Sequence, residues 1–263
     1  MLAILSPAKQ MREVPLPGSP CSGLTLSRPV FAQEAARIAA LLREREVWEL
    51  ESLMKVNPAL ALRTFLDYQA FADRPAATPA LLAYHGLAFR HLDAATLTER
   101  EFRSANRRLR ILSGLYGILR PLDGVKPYRL EMQGPLKIEE KGLYAFWGDR
   151  LYRELFQNGE TVVNLASAEY AKAVIPWLRP GDRMVACEFR TRVRGKLTMH
   201  ATAAKAARGR MARWIAQQEL DTPEARQPVC VRAVGLGHPY MQRKEMRQRL
   251  FSQTGLCRKC WNA

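Results

Sequence analysis

Two short, mostly apolar segments, Met1–Leu5 and Thr161–Leu165, constrain the fold of this chain more than any other feature. Each has the length of a buried strand, and each is followed by small residues and then by a lysine, Lys9 or Lys172. Segments with the apolar spacing of amphipathic helices lie between and after them; in residues 31–42 the apolar side chains are 4, 3 and 4 positions apart. This arrangement predicts a mixed α/β (α+β) fold, a single compact domain in which helices surround a curved mixed sheet.

The composition agrees with a globular protein and indicates the charge of its partner. Hydrophobic residues make up 48% of the 263 residues, and no apolar run approaches the ~18 residues of a membrane span. The five cysteines are scattered, and the N-terminal apolar run is too short for a signal peptide, so we expect a cytoplasmic protein. The 41 lysines and arginines against 25 acidic residues give a formal net charge of +16, which favours a polyanionic partner.

A basic helix is predicted over residues 99–112. Three arginines 4 and 3 positions apart would share one of its faces. They are Arg103, Arg107 and Arg110. The helix leads into a turn framed by Gly114 and Gly117, which as a helix-hairpin-helix-like element would offer backbone N–H groups to phosphate. The alternative for these two glycines is a plain turn.

A second basic helix, predicted over residues 203–216, carries a glycine in its middle. Three basic side chains, Lys205, Arg208 and Arg213, flank Gly209. A glycine within a helix costs about 1 kcal/mol relative to alanine. Close approach of a bulky anion, or of another backbone, would explain it. The alternative is a solvated cationic face.

The ends of the two predicted strands have similar chemistry. In open α/β sheets the carboxyl ends of strands often form the ligand site, so we expect these residues in one cleft suited to a phosphate or carboxylate. The cleft residues are Ser6, Asn164, Ser167, Glu169 and Tyr170, joined by Lys9, Lys172 and Lys205. Close packing of the small residues is the alternative.

Other chemistries are poorly represented in the sequence. The four histidines lack metal-binding spacing, and the one C-x-x-C pair, Cys257 and Cys260, has no second pair. No nucleophile elbow, phosphate-binding Walker loop or dinucleotide-binding glycine motif is found. We therefore expect no metal and no cofactor.

Six segments together resemble the YaaA family of peroxide-stress proteins, and they occur in the family's order. They are residues 4–9, 112–123, 127–132, 143–149, 164–170 and 205–211. Arg120 lies in the second of them and is grouped with the phosphate-binding residues. Two features depart from the family pattern. Its Lys-Gly-Asp-like turn is replaced around His85 and Leu87, and the pattern ends near residue 225. We therefore expect a YaaA-like domain over 1–225 and a divergent, loosely packed tail over 226–263, which looks like a frameshifted reading.

The resemblance implies a compact α/β protein with an unusual fold, a positive cleft and a helix-hairpin-helix-like element that binds double-stranded DNA. It also implies protection against hydrogen peroxide, linked to limiting reactive intracellular iron. Our first hypothesis is a cytoplasmic DNA-binding stress protein without enzymatic turnover. The alternative is an enzyme acting on a phosphorylated or nucleotide-like small molecule in the basic cleft. A basic anchor on an anionic membrane is a weaker third hypothesis, because the apolar face of the 203–216 helix suits a core contact.

Overall fold

A six-stranded mixed sheet forms the centre of the protein. The computed structural model describes residues 1–14, 23–189, 191–193, 196–221 and 231–234. The helices are α1 Ala32–Arg43, α2 Val47–Met54, α3 Pro58–Gln69, α4 Ala80–Ala83, α5 Leu87–Leu92, α6 Glu99–Arg108, α7 Leu143–Trp147, α8 Arg150–Phe156, α9 Ala168–Ala171 and α10 Ala201–Gln218. The strands are β1 Leu2–Leu5, β2 Thr78–Pro79, β3 Leu109–Ser113, β4 Gly117–Leu119, β5 Gly124–Val125, β6 Lys137–Ile138, β7 Lys141–Gly142, β8 Val162–Asn164, β9 Met184–Cys187, β10 Thr191–Val193, β11 Lys196–Thr198 and β12 Val231–Val234.

Both apolar segments form neighbouring parallel strands at the centre of this sheet. The strand order is β12-β9-β8-β1-β3-β4, with β9, β8, β1 and β3 parallel and the two edge strands antiparallel. All four residues of β1 are buried, as expected for a strand covered on both faces. The prediction of a single α+β domain with a mixed sheet is confirmed.

The helix predicted over 99–112 ends four residues early. Its start is the capping box at Thr98, whose side chain accepts from the N–H of Glu101. Leu109 turns extended, and residues 109–113 join the sheet between β1 and β4. The glycine-framed turn therefore joins the strands of a β-hairpin, and the predicted helix-hairpin-helix-like element is wrong at this position. Pairing with β1 outweighs the helical spacing because it buries Leu109, Ile111 and Leu112 completely.

The long helix α10 packs on α5 and α6. Beyond its C-terminal end, Arg108 of α6 donates through Nε to the carbonyl of Leu220 at 2.9 Å and forms an ion pair with Asp221 at 2.7 Å. Nearby, Arg100 pairs with Glu219 at 2.7 Å. These contacts fix the two basic helices side by side.

Four residues of the predicted tail are described, and they form β12. This strand pairs antiparallel with β9, with Val231 opposite Cys187 and Val234 opposite Met184. The rest of the tail, including Cys257 and Cys260, lies outside the described residues. Within the described ranges, no helix combines the length and the apolar character needed to cross a bilayer.

Candidate binding cleft at the carboxyl edge of the sheet

The carboxyl ends of β1 and β8 are tied together by two serines. The Ser6 hydroxyl accepts a hydrogen bond from the Ser167 N–H at 2.8 Å and lies 3.1 Å from the Ser167 hydroxyl. The strand pairing brings them together, because Ile4 lies opposite Asn164. The Asn164 side chain accepts a hydrogen bond from the Ala166 N–H at 2.9 Å and so shapes the turn that leads from β8 to Ser167.

A compact group of charges continues from this edge. The Lys9 ammonium lies 2.6 Å from the Glu131 carboxylate, and the Arg129 guanidinium lies 3.6 Å from the same oxygen. Arg129 also donates to the backbone carbonyl of Lys9 at 3.3 Å. Lys9 and Glu131 are 122 residues apart in the chain, since 131 − 9 = 122, so the fold alone brings them together.

Glu169 is the second carboxylate at this edge. It accepts from the Gln133 N–H at 3.3 Å, and its backbone carbonyl accepts from the Tyr144 hydroxyl at 2.9 Å. Burial raises the pKa of Glu169 above its ordinary value, and the negative charge of Glu131 raises it further. Lys172 lies over the Tyr144 ring, with its ammonium 5.1 Å from the ring centre. The adjoining Tyr170 is buried, which raises its pKa strongly.

Most of the predicted cleft residues thus lie near one another at this edge. Lys205 does not share these contacts: it is exposed on α10, one turn before Gly209. The charged residues Arg129 and Glu131 complete the cleft and were not among the predicted site residues. The fold brings them to this edge on the loop before β6.

Three of the predicted phosphate-binding arginines satisfy carbonyls or carboxylates of the fold itself. Arg110 lies on β3 and donates to the carbonyls at the end of α6, including that of Leu109 at 2.8 Å. Arg213 donates to the carbonyls of Leu92 and Asp93, each at 2.8 Å. Arg120 pairs with the fully buried Asp123 at 2.9 Å. These guanidinium groups stabilise loops and helix ends.

The three predicted phosphate-binding glycines are buried in close packing. A side chain at Gly114 would meet the Leu130 carbonyl at 2.8 Å, and one at Gly117 would meet the Trp147 ring at 2.7 Å. At Gly209, a Cβ would lie only 1.9 Å from the Ala88 carbonyl oxygen of α5. Approach of another backbone, one of the two reasons considered for Gly209, therefore accounts for it, and the plain turn accounts for the other two glycines.

The remaining predicted residues keep basic groups on the surface. Arg103 and Arg107 are exposed on α6, and Arg103 pairs with Glu99 one turn earlier. Arg208, three residues after Lys205 on α10, is half-buried, and its Nε is buried without a hydrogen-bond partner among the described residues. Burial lowers the pKa of Arg208 and raises that of its neighbour Cys187 to about 11. Among the described residues, no group of three or more histidine, cysteine or acidic side chains has the arrangement of a metal site.

Comparison with known proteins identifies the family. Residues 1–230 match the family model described as peroxide stress protein YaaA. The chain belongs to the YaaA family. A UPF0246 protein of Limosilactobacillus fermentum is 42% identical over 224 residues, covering 84% of this chain and 88% of the relative. One from Lactobacillus delbrueckii subsp. bulgaricus is 39% identical over 222 residues, with the same coverages, and one from Agathobacter rectalis is 35% identical over 225 residues, covering 85% and 88%.

The YaaA family resemblance contained a signal for the missed cleft residues. One of its six segments, residues 127–132, includes both Arg129 and Glu131. The YaaA family match also extends to residue 230, slightly beyond the boundary expected at 225.

From the raised pKa of Glu169 we predict how the stability of this YaaA-family protein depends on pH. Because the folded state holds the proton more tightly than the unfolded state, the free energy of unfolding falls as pH rises from the ordinary value of 4.5 through the raised pKa. Replacing Glu169 with Gln removes this loss, so the variant should gain stability relative to the wild type across that window. Urea unfolding at several pH values between about 4 and about 7 measures the difference.

Glu101 supplies a control of opposite sign. The hydrogen bond from the Thr98 N–H lowers the pKa of Glu101. The stability that the ionised Glu101 carboxylate contributes to the fold is therefore lost as pH falls below 4.5 through the lowered pKa. Glu101→Gln should therefore lose stability relative to the wild type as pH rises through that lower window. A stability difference for Glu169→Gln that does not change with pH would contradict the desolvation of this carboxyl.

Proposed function

We propose that this YaaA-family protein acts in the cytoplasm against hydrogen peroxide damage by binding duplex DNA, in a role linked to limiting reactive intracellular iron. The observation that carries the proposal is that each of two packed helices exposes basic side chains. Helix α6 exposes Arg103 and Arg107, and α10 exposes Lys205 three residues before Arg208, whose Nε has no hydrogen-bond partner in the part of the chain that the structure describes. The net charge of +16 supports the same kind of partner.

The form of binding follows from the groups that remain available. Arg110, Arg120 and Arg213 are engaged in holding the fold, and Gly114, Gly117 and Gly209 are buried. Exposed lysines and arginines neutralise phosphates without reading bases, so the binding should be tolerant of sequence. DNA phosphates would compete with Glu99 for Arg103. The Arg103–Glu99 ion pair is exposed and therefore contributes little to stability.

A double substitution tests this surface. Arg107→Ala combined with Lys205→Ala should weaken binding to a short labelled duplex by about tenfold, because each exposed charge contact contributes up to about 1 kcal/mol. The loss should be similar for unrelated duplex sequences. A fluorescence anisotropy titration measures it.

The control removes the same number of charges elsewhere. Arg63→Ala with Lys141→Ala takes exposed residues from α3 and β7. It should change the affinity much less than the first pair. If both pairs weaken binding equally, net charge alone controls it and α6 and α10 are not the interface.

The link to peroxide and iron is tested in cells. A strain whose only copy carries the Arg107→Ala and Lys205→Ala pair should be more sensitive to hydrogen peroxide than one carrying the control pair. A cell-permeable iron chelator should remove the difference if reactive iron causes the damage. Equal sensitivity of the two strains would separate the peroxide role from DNA binding.

An enzymatic role in the cleft is the second candidate. Glu169 favours it, because a carboxyl with a raised pKa beside Glu131 and Lys9 suits proton transfer on a phosphorylated or nucleotide-like molecule. Glu169→Gln would then abolish peroxide protection while leaving the DNA affinity unchanged. The DNA-binding proposal instead expects protection to survive this substitution.

A further inference from the structure

A cavity of about 330 Å³ lies next to the cleft, and neither the DNA-binding surface nor the predicted site uses it. One wall is the end of α2, with Leu53, Met54 and Lys55, and the other is the segment 129–135. This volume is at the lower end of the roughly 300–1,000 Å³ of small-molecule pockets. It would hold about eleven waters at ~30 Å³ each. The size therefore suits a small organic molecule.

The charges around the cavity leave a positive excess. Of the described residues in its wall, only Glu131 is acidic, and it is already paired with Lys9 from outside the cavity. Arg129 and Lys55 line the same space. Within the described ranges, the buried Nε of Arg129 has no hydrogen-bond partner, although the other nitrogens of its guanidinium contact Lys9 and Glu131. An unpaired buried donor is costly, and an anionic oxygen is the acceptor that would satisfy it best.

The wall formed by α2 adds an apolar surface. Leu53 and Met54 are both partly buried and pack against the core. The methionine side chain adapts to irregular shapes, so this wall can accommodate an aliphatic group. Polar groups that fix orientation against an apolar wall are the usual composition of a ligand pocket.

We infer that this cavity binds a small organic anion, whose carboxylate or phosphate is held by Arg129 and Lys55 and whose aliphatic part packs on Leu53 and Met54. The inference goes beyond the proposed function, since it requires neither DNA binding nor a reaction in the cleft. Arg129 and Glu131 belong to both the cavity and the cleft, so an occupant would lie against the residues that hold Lys9.

Matched probes test the chemistry of the occupant. Pentanoate and butyl phosphate carry an anion and an aliphatic chain, inorganic phosphate carries the anion alone, and pentylamine carries a cation on the same chain. Titration of the full chain, followed by isothermal calorimetry, should show binding of the first two, weaker binding of phosphate and none of pentylamine. The stronger of the first two probes tells a carboxylate ligand from a phosphate ester.

Two substitutions locate the binding. Arg129→Gln should lower the affinity for the better probe by about 10- to 100-fold, as expected for loss of a hydrogen bond to a charged group. Lys55→Glu, at an exposed position, should weaken it by about tenfold through charge reversal. Lys141→Glu, an equally exposed reversal on β7, should leave it unchanged.

The second substitution keeps the test decisive if Arg129→Gln does not fold. Equal binding of pentylamine, no binding of either organic anion, or an affinity unaffected by Lys55→Glu would each overturn the inference. DNA titration of Lys55→Glu and Lys141→Glu separates the two proposals, because both variants should bind DNA equally whether or not the cavity takes an anion.

Discussion

Replacing Gly209 with Ala should destabilise the protein by about 3 kcal/mol or more. An added Cβ would lie 1.9 Å from the Ala88 carbonyl oxygen and 2.8 Å from its carbonyl carbon, so α10 and α5 would have to move apart. These atoms are backbone and cannot rotate away. In an exposed helix the same change would instead stabilise by about 1 kcal/mol. The sign of the effect therefore distinguishes packing from a solvated face.

Urea unfolding of Gly209→Ala and of Arg210→Ala provides the measurement. Arg210 is the exposed neighbour in the same helix, and its replacement by Ala should change the free energy of unfolding by less than about 0.5 kcal/mol. Wild-type or higher stability of Gly209→Ala would show that the helices are not in contact at Ala88. Close approach of an anion would then again be a possible reason for this glycine.

Gly209 also shows what sequence alone can reach. A glycine within a helical pattern indicates that another group approaches the helix closely. That group can be either an anion or another backbone. The choice depends on α5, which begins 122 residues earlier in the chain, since 209 − 87 = 122. Helix periodicity places a residue on a face but does not say what covers that face.

The segment after α6 shows a different limit. Phe102, Ala105, Leu109 and Leu112 have helical spacing, and only the first two are helical in the structure. The remaining residues gain more from pairing with β1 and β4, because a strand covered on both faces buries all its apolar side chains. Such a short apolar run is ambiguous by periodicity alone. The helix-hairpin-helix-like element depended on that choice.

The strand ends were predictable, because the carboxyl ends of parallel strands meet at one edge whatever the other details. Ser6 and Ser167 follow from that rule. Arg129 and Glu131 do not, since they lie on an irregular loop with no periodicity to place them. Loops of this kind are positioned by tertiary contacts, here the pairing with Lys9 and the hydrogen bond from Arg129 to its carbonyl.

Binding to duplex DNA should depend steeply on salt. Six basic side chains of the two helices reach the surface, five exposed and one half-buried, and phosphates would have to displace the exposed ion pairs of Arg100 with Glu219 and of Arg103 with Glu99. The six side chains are Arg100, Arg103, Arg107, Lys205, Arg208 and Arg210. Each phosphate neutralised contributes about 0.9 to the slope of log affinity against log salt, so six contacts give a slope near −5 and a loss of about 10³-fold between 50 and 200 mM salt.

The Arg107→Ala and Lys205→Ala pair should reduce that slope by about two units, because two fewer counterions are released. The same salt increase would then cost about 10²-fold, so the affinities of variant and wild type converge at high salt. The Arg63→Ala and Lys141→Ala pair removes the same charge and should leave the slope unchanged. An unchanged slope in the first pair would remove α6 and α10 from the interface even if the affinity fell, because the slope counts the phosphates contacted. The enzymatic role would then be the favoured function, because Glu169 and Lys9 in the cleft suit proton transfer on a small molecule rather than contact with a duplex.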